Sequence, residues 1–127
     1  NRAQLVALRT ARGQRQAVRI DSIAVRRQVV DDISLTSFSI PVVNAGNTHC
    51  FAMGNLGIER EVSPEVYKTE GQSPSFGDAN LFLLPGGKRI FHLNVPGLEV
   101  GTYRVIASVN YAPEVSPATR YQRVVVR

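Results

Sequence analysis

Few side chains in this sequence are suited to nucleophilic or metal chemistry. The chain contains one cysteine, Cys50, and two histidines, His49 and His92. A cysteine nucleophile needs a base and an orienting partner beside it, and no spacing in the sequence provides them. Two histidines and one cysteine do not make the ligand spacing of a zinc site either. We therefore expect Cys50 to be a small buried side chain, both histidines to be structural or exposed, and no cofactor to be required.

The carboxylates form two short clusters. Asp31 and Asp32 are adjacent in a turn-like stretch, and Glu59 and Glu61 flank Arg60. Paired carboxylates are needed for glycosidic chemistry, but these pairs lie in polar surroundings typical of solvated groups. The sequence contains no G-x-S-x-G elbow, P-loop or dinucleotide fingerprint. It therefore predicts a protein that is not an enzyme.

Aromatic residues are the next candidates for a binding site. Tyr67, Phe76 and Phe82 lie in or beside the long polar stretch 59–78. Exposed together, they would form a surface that stacks on sugars or anchors a protein. The alternative, which we favour because apolar residues at loop bases usually pack, is that Phe76 and Phe82 fold back over an open end of the fold.

The positive charge of the chain is concentrated near its beginning. The formal net charge is +5 and the pI is about 10.0, which is compatible with nucleic acid or an anionic surface as a partner. No aromatic residue lies among the early arginines to stack on bases. We therefore expect a solvated arginine-rich face and no nucleic-acid binding. The arginines concerned are Arg2, Arg9, Arg12, Arg15, Arg19, Arg26 and Arg27.

Length and composition predict one domain spanning residues 1–127. With 43% hydrophobic and 20% charged residues, a chain of this length can bury a core that needs no disulfide or metal. No segment is apolar for long enough to insert in a membrane, and there is no signal peptide. Because the chain opens with Asn1 rather than Met, we expect a processed or excised piece of a larger protein.

The elements that position these residues are predicted to be β-strands. Between residues 88 and 95, alternate residues from Phe91 to Val95 are apolar, which is the period of a half-buried strand. After a turn at Pro96-Gly97, alternate residues from Tyr103 to Tyr111 form a second inward row. We expect these two strands to form a hairpin-like antiparallel pair.

Residues 98–103, LEVGTY, resemble the tyrosine corner of immunoglobulin-like and fibronectin-type sandwiches. In that corner a tyrosine near the start of the penultimate strand hydrogen-bonds to nearby backbone. The alternative is a half-buried strand aromatic. Under either interpretation Tyr103 is structural, and Gly101 belongs to the same corner.

A second clear strand spans residues 34–44, where Phe38, Ile40 and Val42 alternate with polar residues and proline. Pro41 has no amide donor, so we expect this strand to lie at an edge or to bulge there. The strand breaks at the turn formed by Asn44, Ala45, Gly46 and Asn47, residue types suited to positive backbone angles and side-chain caps. A strand restarts at residues 48–53, and we expect Gly54, Asn55 and Gly57 to end or bulge it.

The remaining strand predictions concern both ends of the chain and the polar stretch. Residues 4–10 and 16–25 are predicted to form a hairpin around the polar run 11–15, with a helix as the alternative for the first segment. In the polar stretch we expect a short strand at 66–69 followed by a long, mobile surface loop, and then an apolar run at 79–84. The last strand is predicted at 120–126.

The last strand is the predicted place for strand addition by a partner if it lies at a sheet edge. Arg120, Arg123 and Arg127 would then protect against indiscriminate pairing. The competing interpretation is an ordinary paired last strand. Short strands at this spacing, separated by turn signals, predict an all-β sandwich.

Several turn and strand signatures resemble immunoglobulin-like domains of bacterial envelope proteins. They lie at 43–49 (VNAGNTH), 84–91 (LPGGKRIF), 97–103 (GLEVGTY) and 110–111 (NY). The greatest similarity is to the C-terminal domain of cell-surface proteins related to pilus-chaperone-like folds. In these proteins an N-x-G-N-x-H turn, an L-P-G-x-x-R strand start and a G-x-Y strand recur in this order.

The resemblance covers roughly the last two thirds of the chain. It implies a non-catalytic module of a larger exported protein that is periplasmic, on the cell surface or secreted. Pilus chaperones themselves have two such domains, whereas this chain has room for one, so no binding residue is carried over.

Taken together, the residues and the resemblance predict an immunoglobulin-like antiparallel β-sandwich of about seven to nine strands. The predicted function is protein interaction or structural support, in adhesion, assembly or spacing. Its partner would be another envelope or surface protein or a neighbouring domain of the same chain. The alternative is a carbohydrate-binding module that uses Tyr67, Phe76 and Phe82.

Overall fold

The computed structural model of the chain describes residues 14–127. This part contains nine β-strands and no helix, and every strand pairing is antiparallel. The strands are β1 (Val18–Ile20), β2 (Ala24–Val30), β3 (Ile33–Asn44), β4 (Cys50–Ser63), β5 (Val66–Thr69), β6 (Ser75–Leu83), β7 (Lys88–Pro96), β8 (Gly101–Asn110) and β9 (Ala118–Val126). Among the described residues, none belongs to a helix that could cross a bilayer.

The strands form two sheets, each built around one long strand. In the first sheet β3 pairs with β7 on one side, while β1 and β2 share the other side. In the second sheet β4 pairs with β8, which pairs with β9, and β5 and β6 share the other side of β4. The predicted all-β sandwich of seven to nine strands is therefore confirmed.

The core lies between the two sheets and is supplied by alternate residues of the long strands. Phe38, Ile40 and Val42 of β3 are fully buried, as the alternation predicts. They face a row from β8 that includes Val105 and Val109, which are also fully buried. Alternation at period two places one face of each strand against this core.

The predicted hairpin between the strands at 88–95 and 103–111 is wrong, although both strands exist. β7 pairs with β3 in the first sheet, whereas β8 pairs with β4 and β9 in the second. The link between them crosses from one sheet to the other, and Leu98 in this link is buried. Both strands turn an apolar face to the same core, so their alternation cannot show whether they share a sheet.

Pro41 does not mark an edge or a bulge, because β3 is an interior strand whose register with β7 runs unbroken past it. The Pro41 carbonyl accepts a hydrogen bond from the Asp21 amide at 2.9 Å, so this residue faces the side shared by β1 and β2. β1 ends at Ile20 and β2 begins at Ala24. The missing amide proton therefore faces the break between two short strands, where no ladder bond is lost.

The expectation that Gly54, Asn55 and Gly57 end or bulge the strand β4 is also wrong. The strand continues through Gly54 and Gly57, and its pairing with β8 is uninterrupted from Met53 to Arg60. Gly54 is required by close packing, since a Cβ there would lie 2.2 Å from the Ser108 carbonyl oxygen and 2.8 Å from the Phe76 ring.

Elsewhere the predicted segments are partly confirmed. The short strand 66–69 is β5, but much of the expected long loop is strand, because β4 extends to Ser63 and β6 begins at Ser75. The predicted segment 16–25 divides into β1 and the start of β2. The predicted strand 4–10 and most of the run 11–15 lie outside the described residues.

Candidate functional site

The turn predicted at 44–47 is held by the side chain of Asn44, which is fully buried. Its Oδ1 accepts a hydrogen bond from the Gly46 amide at 3.0 Å, and its Nδ2 donates to the carbonyls of Thr48 and Leu83 at 2.9 Å each. The predicted cap is therefore confirmed. The predicted positive backbone angles are absent from the turn. Gly46 is needed for space, because a Cβ there would lie 2.0 Å from the Arg15 carbonyl oxygen.

Asn47 fastens the same turn to the segment before β1. Its Oδ1 accepts a hydrogen bond from the Arg15 amide, and its own amide donates to the Arg15 carbonyl at 2.9 Å. Asn44, Gly46 and Asn47 are thus structural residues, as predicted.

The tyrosine corner is present. The Tyr103 hydroxyl donates a hydrogen bond to the Glu99 carbonyl at 2.7 Å, and Tyr103 is almost completely buried in β8, which begins at Gly101. Burial raises the pKa of the Tyr103 phenol. The corner fixes the point at which the chain crosses from β7 to β8.

The thiol and the two imidazole groups lie in different surroundings. Cys50 is buried, as predicted, and this burial raises the pKa of its thiol. The His49 ring lies edge-on to Phe82, and His92 Nδ1 lies 3.1 Å from Ser39 Oγ on the outside of the first sheet. In residues 14–127 no group of three or more His, Cys, Asp or Glu is placed to hold a metal ion.

The three predicted binding aromatics do not form one surface. Phe76 is a core residue that packs on Phe91 with ring centroids 5.0 Å apart, so its predicted binding role is wrong. Phe82 is 59% exposed. Phe82 pairs with Phe51 near the start of β4, whereas Tyr67 pairs with Glu61 near the end of the same strand. Phe82 and Tyr67 are therefore separated by roughly 30 Å along β4. Folding back over the core is thus correct for Phe76 and wrong for Phe82.

The last strand lies at an edge of the second sheet, but the two predicted arginines differ in placement. Arg120 donates to the Ile20 carbonyl at 3.3 Å and to Gln122 Oε1 at 3.0 Å, so it helps to join the two sheets. Arg123 lies on the outer face of the second sheet, where its Nη2 is 3.6 Å from Glu61 Oε2.

Arg104 is at the centre of a cluster on this outer face, with neighbours from three other strands. Its Nη2 lies 2.6 Å from Glu59 Oε1 of β4. Its guanidinium carbon lies 4.2 Å from the centroid of the Tyr67 ring of β5 and 5.9 Å from that of the Tyr121 ring of β9. Cation–π contacts of this kind restrain both the arginine and the rings.

Apolar residues continue the cluster across the sheet. Ile106 lies opposite Gly57 on one neighbouring strand and opposite Tyr121 on the other. Gly57 adds no side chain, so Ile106 has no side chain opposite it on β4. Tyr121 is 65% exposed and Val125 is 41% exposed. We call Tyr67, Arg104, Ile106, Tyr121 and Val125 the platform.

The charges in and around the platform are paired. Glu59 and Glu61 were expected to be solvated, but their side chains are only 21% and 17% exposed and they pair with Arg104 and Arg123. A partner that covered this surface would not have to desolvate an unpaired charge, which is the costly case. The platform therefore combines exposed apolar area with satisfied polar groups.

The outer face of the first sheet is different in character. At its centre Ser37 Oγ donates to Asn94 Oδ1 at 2.7 Å, and Ser39 contacts His92. This face also carries Ile90 of β7, which is 46% exposed and lies opposite Pro41 of β3. Other exposed apolar side chains mostly lie near strand ends. They include Val29, Val30, Ile33, Val62, Val66, Phe82 and Leu84.

No motif in the sequence distinguishes Arg104, Ile106 or Tyr121. The alternation in β8 indicates only that Arg104 and Ile106 face outward. Their convergence depends on the register between β4, β8 and β9, for which the sequence carries no separate signal.

The comparisons with known proteins bear on the fold. No protein-family model matches the sequence, and no curated protein sequence matches it. The C-terminal domain of wzt superposes with a TM-score of 0.60 at 15% identity, over 90% of this chain and 78% of that one. The CARDB domain of PF1109 from Pyrococcus furiosus, solved in complex with di-metal ions, gives 0.50 at 18% identity, over 88% and 89%.

A β-glucosidase from Erythrobacter marinus, EmGH1, contains a similar structure as a small part. The TM-score is 0.54 at 12% identity, over 88% of this chain and 16% of the enzyme. At such identities these likenesses show a shared β-sandwich fold. They do not identify a ligand.

Proposed function

We propose that this chain is a non-enzymatic module that binds another protein surface through the platform. The observation that carries the proposal is the placement of Arg104, ion-paired to Glu59 and held between Tyr67 and Tyr121. Tyrosine and arginine dominate the energetics of protein interfaces because they offer large contact area with few freely rotating bonds or with directed hydrogen bonds. Here both are fixed in position before a partner arrives, which lowers the entropy lost on binding.

The shape of the platform favours a protein partner over a sugar. It spans the paired strands of a sheet rather than lining a cleft, and Gly57 adds no side chain opposite Ile106, which suits contact with another folded surface. The carbohydrate-binding alternative needed Tyr67, Phe76 and Phe82 together, and Phe76 is in the core. Replacing Phe76 with alanine would disturb folding and so would not test glycan binding.

The role in adhesion, assembly or spacing, and a location in the periplasm, at the cell surface or outside the cell, are parts of the same proposal. Their support is the resemblance to immunoglobulin-like envelope domains. The similar structures of wzt and PF1109 are described as domains, and the matched glucosidase chain is about six times longer than the matched part. The proposal therefore includes two kinds of partner, a neighbouring domain of the same polypeptide and a separate envelope protein.

Site-specific photo-crosslinking in cells that make the full-length protein tests the proposal. A benzoylphenylalanine placed at Tyr121 is expected to give a discrete crosslinked product, either to a second protein or within the polypeptide. The matched control carries the same group at Asn94, on the polar outer face of the first sheet. Thermal unfolding of both variants checks the fold.

The expected result is crosslinking at position 121 that is at least about tenfold stronger than at position 94, and its loss when Arg104 is replaced by glutamate. Equal crosslinking at the two positions would contradict the proposal. So would a product at position 94 with none at position 121.

A further inference from the structure

Strand β2 presents a regular and open edge in the first sheet. Within residues 14–127 it pairs only with β3, through seven successive residue pairs without a register shift. The two strands are joined by Asp31 and Asp32, with φ angles of 51° and 63°, which are the left-handed values of a type I′ hairpin turn. The predicted turn at these two aspartates is thereby confirmed.

The register determines which backbone groups of β2 remain open. Val30 and Ile33 flank the two-residue turn and form a hydrogen-bonded pair, after which such pairs alternate along the hairpin. The Gly97 amide donates to the Ser34 carbonyl, which agrees with this alternation because Ser34 then faces β7. The amides and carbonyls of Val25, Arg27 and Val29 therefore point away from β3.

At its beginning the β2 edge is covered, because β9 lies beside it and Gln122 of β9 occupies both the amide and the carbonyl of Ile23 through its side chain, at 2.8 Å each. Beyond that point β2 is unobstructed, whereas β5, β6 and β7 are protected. β5 has four residues, and its pairing with β4 shifts register, as does that of β6. β7 lies beside β6, and its terminal Pro96 carbonyl accepts a hydrogen bond from Gln72. Short, bulged or covered strands are the usual protection of sheet edges.

The groove beside β2 is cationic near Arg26, while the two exposed carboxylates of the β2–β3 turn, Asp31 and Asp32, lie beyond the other end of the strand. A groove of about 340 Å³ runs along β2 and β3 and is lined by Ala24, Val25, Arg26, Gln28, Ser37 and Ser39. It contains no carboxylate. Arg26 is exposed and its guanidinium makes no hydrogen bond or ion pair within the described residues, whereas the Arg27 guanidinium donates to Ser34 Oγ at 3.1 Å. A strand that added here would turn every second side chain toward this groove and place one of them beside this free guanidinium.

Charge also disfavours two other arrangements. Antiparallel pairing of two copies of β2 centred on Arg27 would set this arginine opposite its counterpart, which destabilises a sheet. Residues 1–13 of the chain contain three arginines and no carboxylate, so they lack the complementary charge.

We propose that the β2 edge binds an extended acidic segment of a partner by strand addition, with main-chain bonds to Val25, Arg27 and Val29 and a carboxylate beside Arg26. This surface belongs to the first sheet and is independent of the platform, so either proposal can fail alone.

The test uses the full chain and two capped peptides of about nine residues. One peptide alternates glutamate with valine or threonine, and the other has lysine in place of glutamate. We expect the glutamate peptide to bind at least about tenfold more tightly at low salt, and to slow amide exchange at Val25, Arg27 and Val29. Equal affinity for the two peptides, no binding, or prior protection of these amides in the free protein would each overturn the proposal.

Two variants separate backbone pairing from charge. Arg27→Pro removes one outward amide without breaking a bond to β3, while Arg27→Thr loses the same side chain and keeps that amide. Binding should fall at least about tenfold in the proline variant relative to the threonine variant. Arg26→Glu should reverse the preference toward the lysine peptide. Unchanged preference in Arg26→Glu, or equal binding by the two Arg27 variants, would contradict the proposed geometry.

Discussion

At the scale of single residues, Tyr103 shows how one hydroxyl group fixes a change of direction in the chain. The segment from Pro96 to Gly101 leaves the first sheet and enters the second, and the hydroxyl bonds to the Glu99 carbonyl within it. The ring lies in the core, so the hydroxyl is held in place by packing. The corner therefore links burial of a strand residue to the path of the loop before it.

We predict that Tyr103→Phe destabilises the protein by about 1 kcal/mol, because the core packing remains and one intramolecular hydrogen bond is lost. The matched control is Tyr111→Phe, since Tyr111 is half-buried and its hydroxyl makes no hydrogen bond within residues 14–127. Its change in the free energy of unfolding should stay within about 0.5 kcal/mol. Urea denaturation measures both, and equal effects would refute a specific role for the corner.

The residues that could be predicted from the sequence are those whose partners lie nearby in the chain. Asn44 bonds to Gly46 and Thr48, and Tyr103 bonds to Glu99, so local spacing was sufficient. Arg104 contacts Tyr67, Tyr121 and Glu59, which lie on three other strands. Its role depends on long-range register and could not be predicted from alternation.

At the scale of the elements, β9 is joined to the connection between β1 and β2 by side-chain hydrogen bonds, because no backbone strand pairing links them. The Gln122 amide accepts from the Ile23 amide and donates to the Ile23 carbonyl, and Arg120 reaches the Ile20 carbonyl. Ile23 is buried. The edge of the second sheet is thus fastened to the first sheet at the point where β1 gives way to β2.

We predict that Gln122→Ala destabilises the protein by about 2 kcal/mol, because it leaves two backbone groups of the buried Ile23 without partners. Gln28→Ala is the control, since Gln28 is an exposed strand residue whose side chain makes no hydrogen bond in the described part of the chain. It should change stability by less than about 0.5 kcal/mol. If the two substitutions had the same effect on the urea midpoint, the hydrogen bonds of Gln122 to Ile23 would not stabilise the fold specifically.

The presence of each strand was easier to predict from the sequence than the strand with which it pairs. Alternation reports burial of one face, which β7 and β8 share because they face one core from opposite sheets. It does not report which backbone they bond to. The same limit applies to Pro41, whose missing donor is harmless because of the break between β1 and β2. A rule about proline within one strand contains no information on where the neighbouring strands end, so it could not predict that break.

At the scale of the whole molecule, the two outer faces of the sandwich differ. The first sheet presents a polar centre of serine, histidine and asparagine, with an open edge at β2. The second presents the platform, with its exposed tyrosine and paired charges. This asymmetry is the basis of our central claim, that the outer face of the second sheet is the surface by which the module binds a protein.

Hydroxyl-radical footprinting of the full-length protein in the cells that make it, compared with purified residues 1–127, tests this claim most directly. Tyr121 on the platform and Phe82 outside it are similarly exposed, at 65% and 59%, and so serve as test and internal control. We predict that Tyr121 is oxidised at least about threefold more slowly in the full-length protein in cells than in purified residues 1–127, and that Phe82 is unchanged. Equal oxidation of Tyr121 in the two settings, or protection of Phe82 alone, would contradict the account.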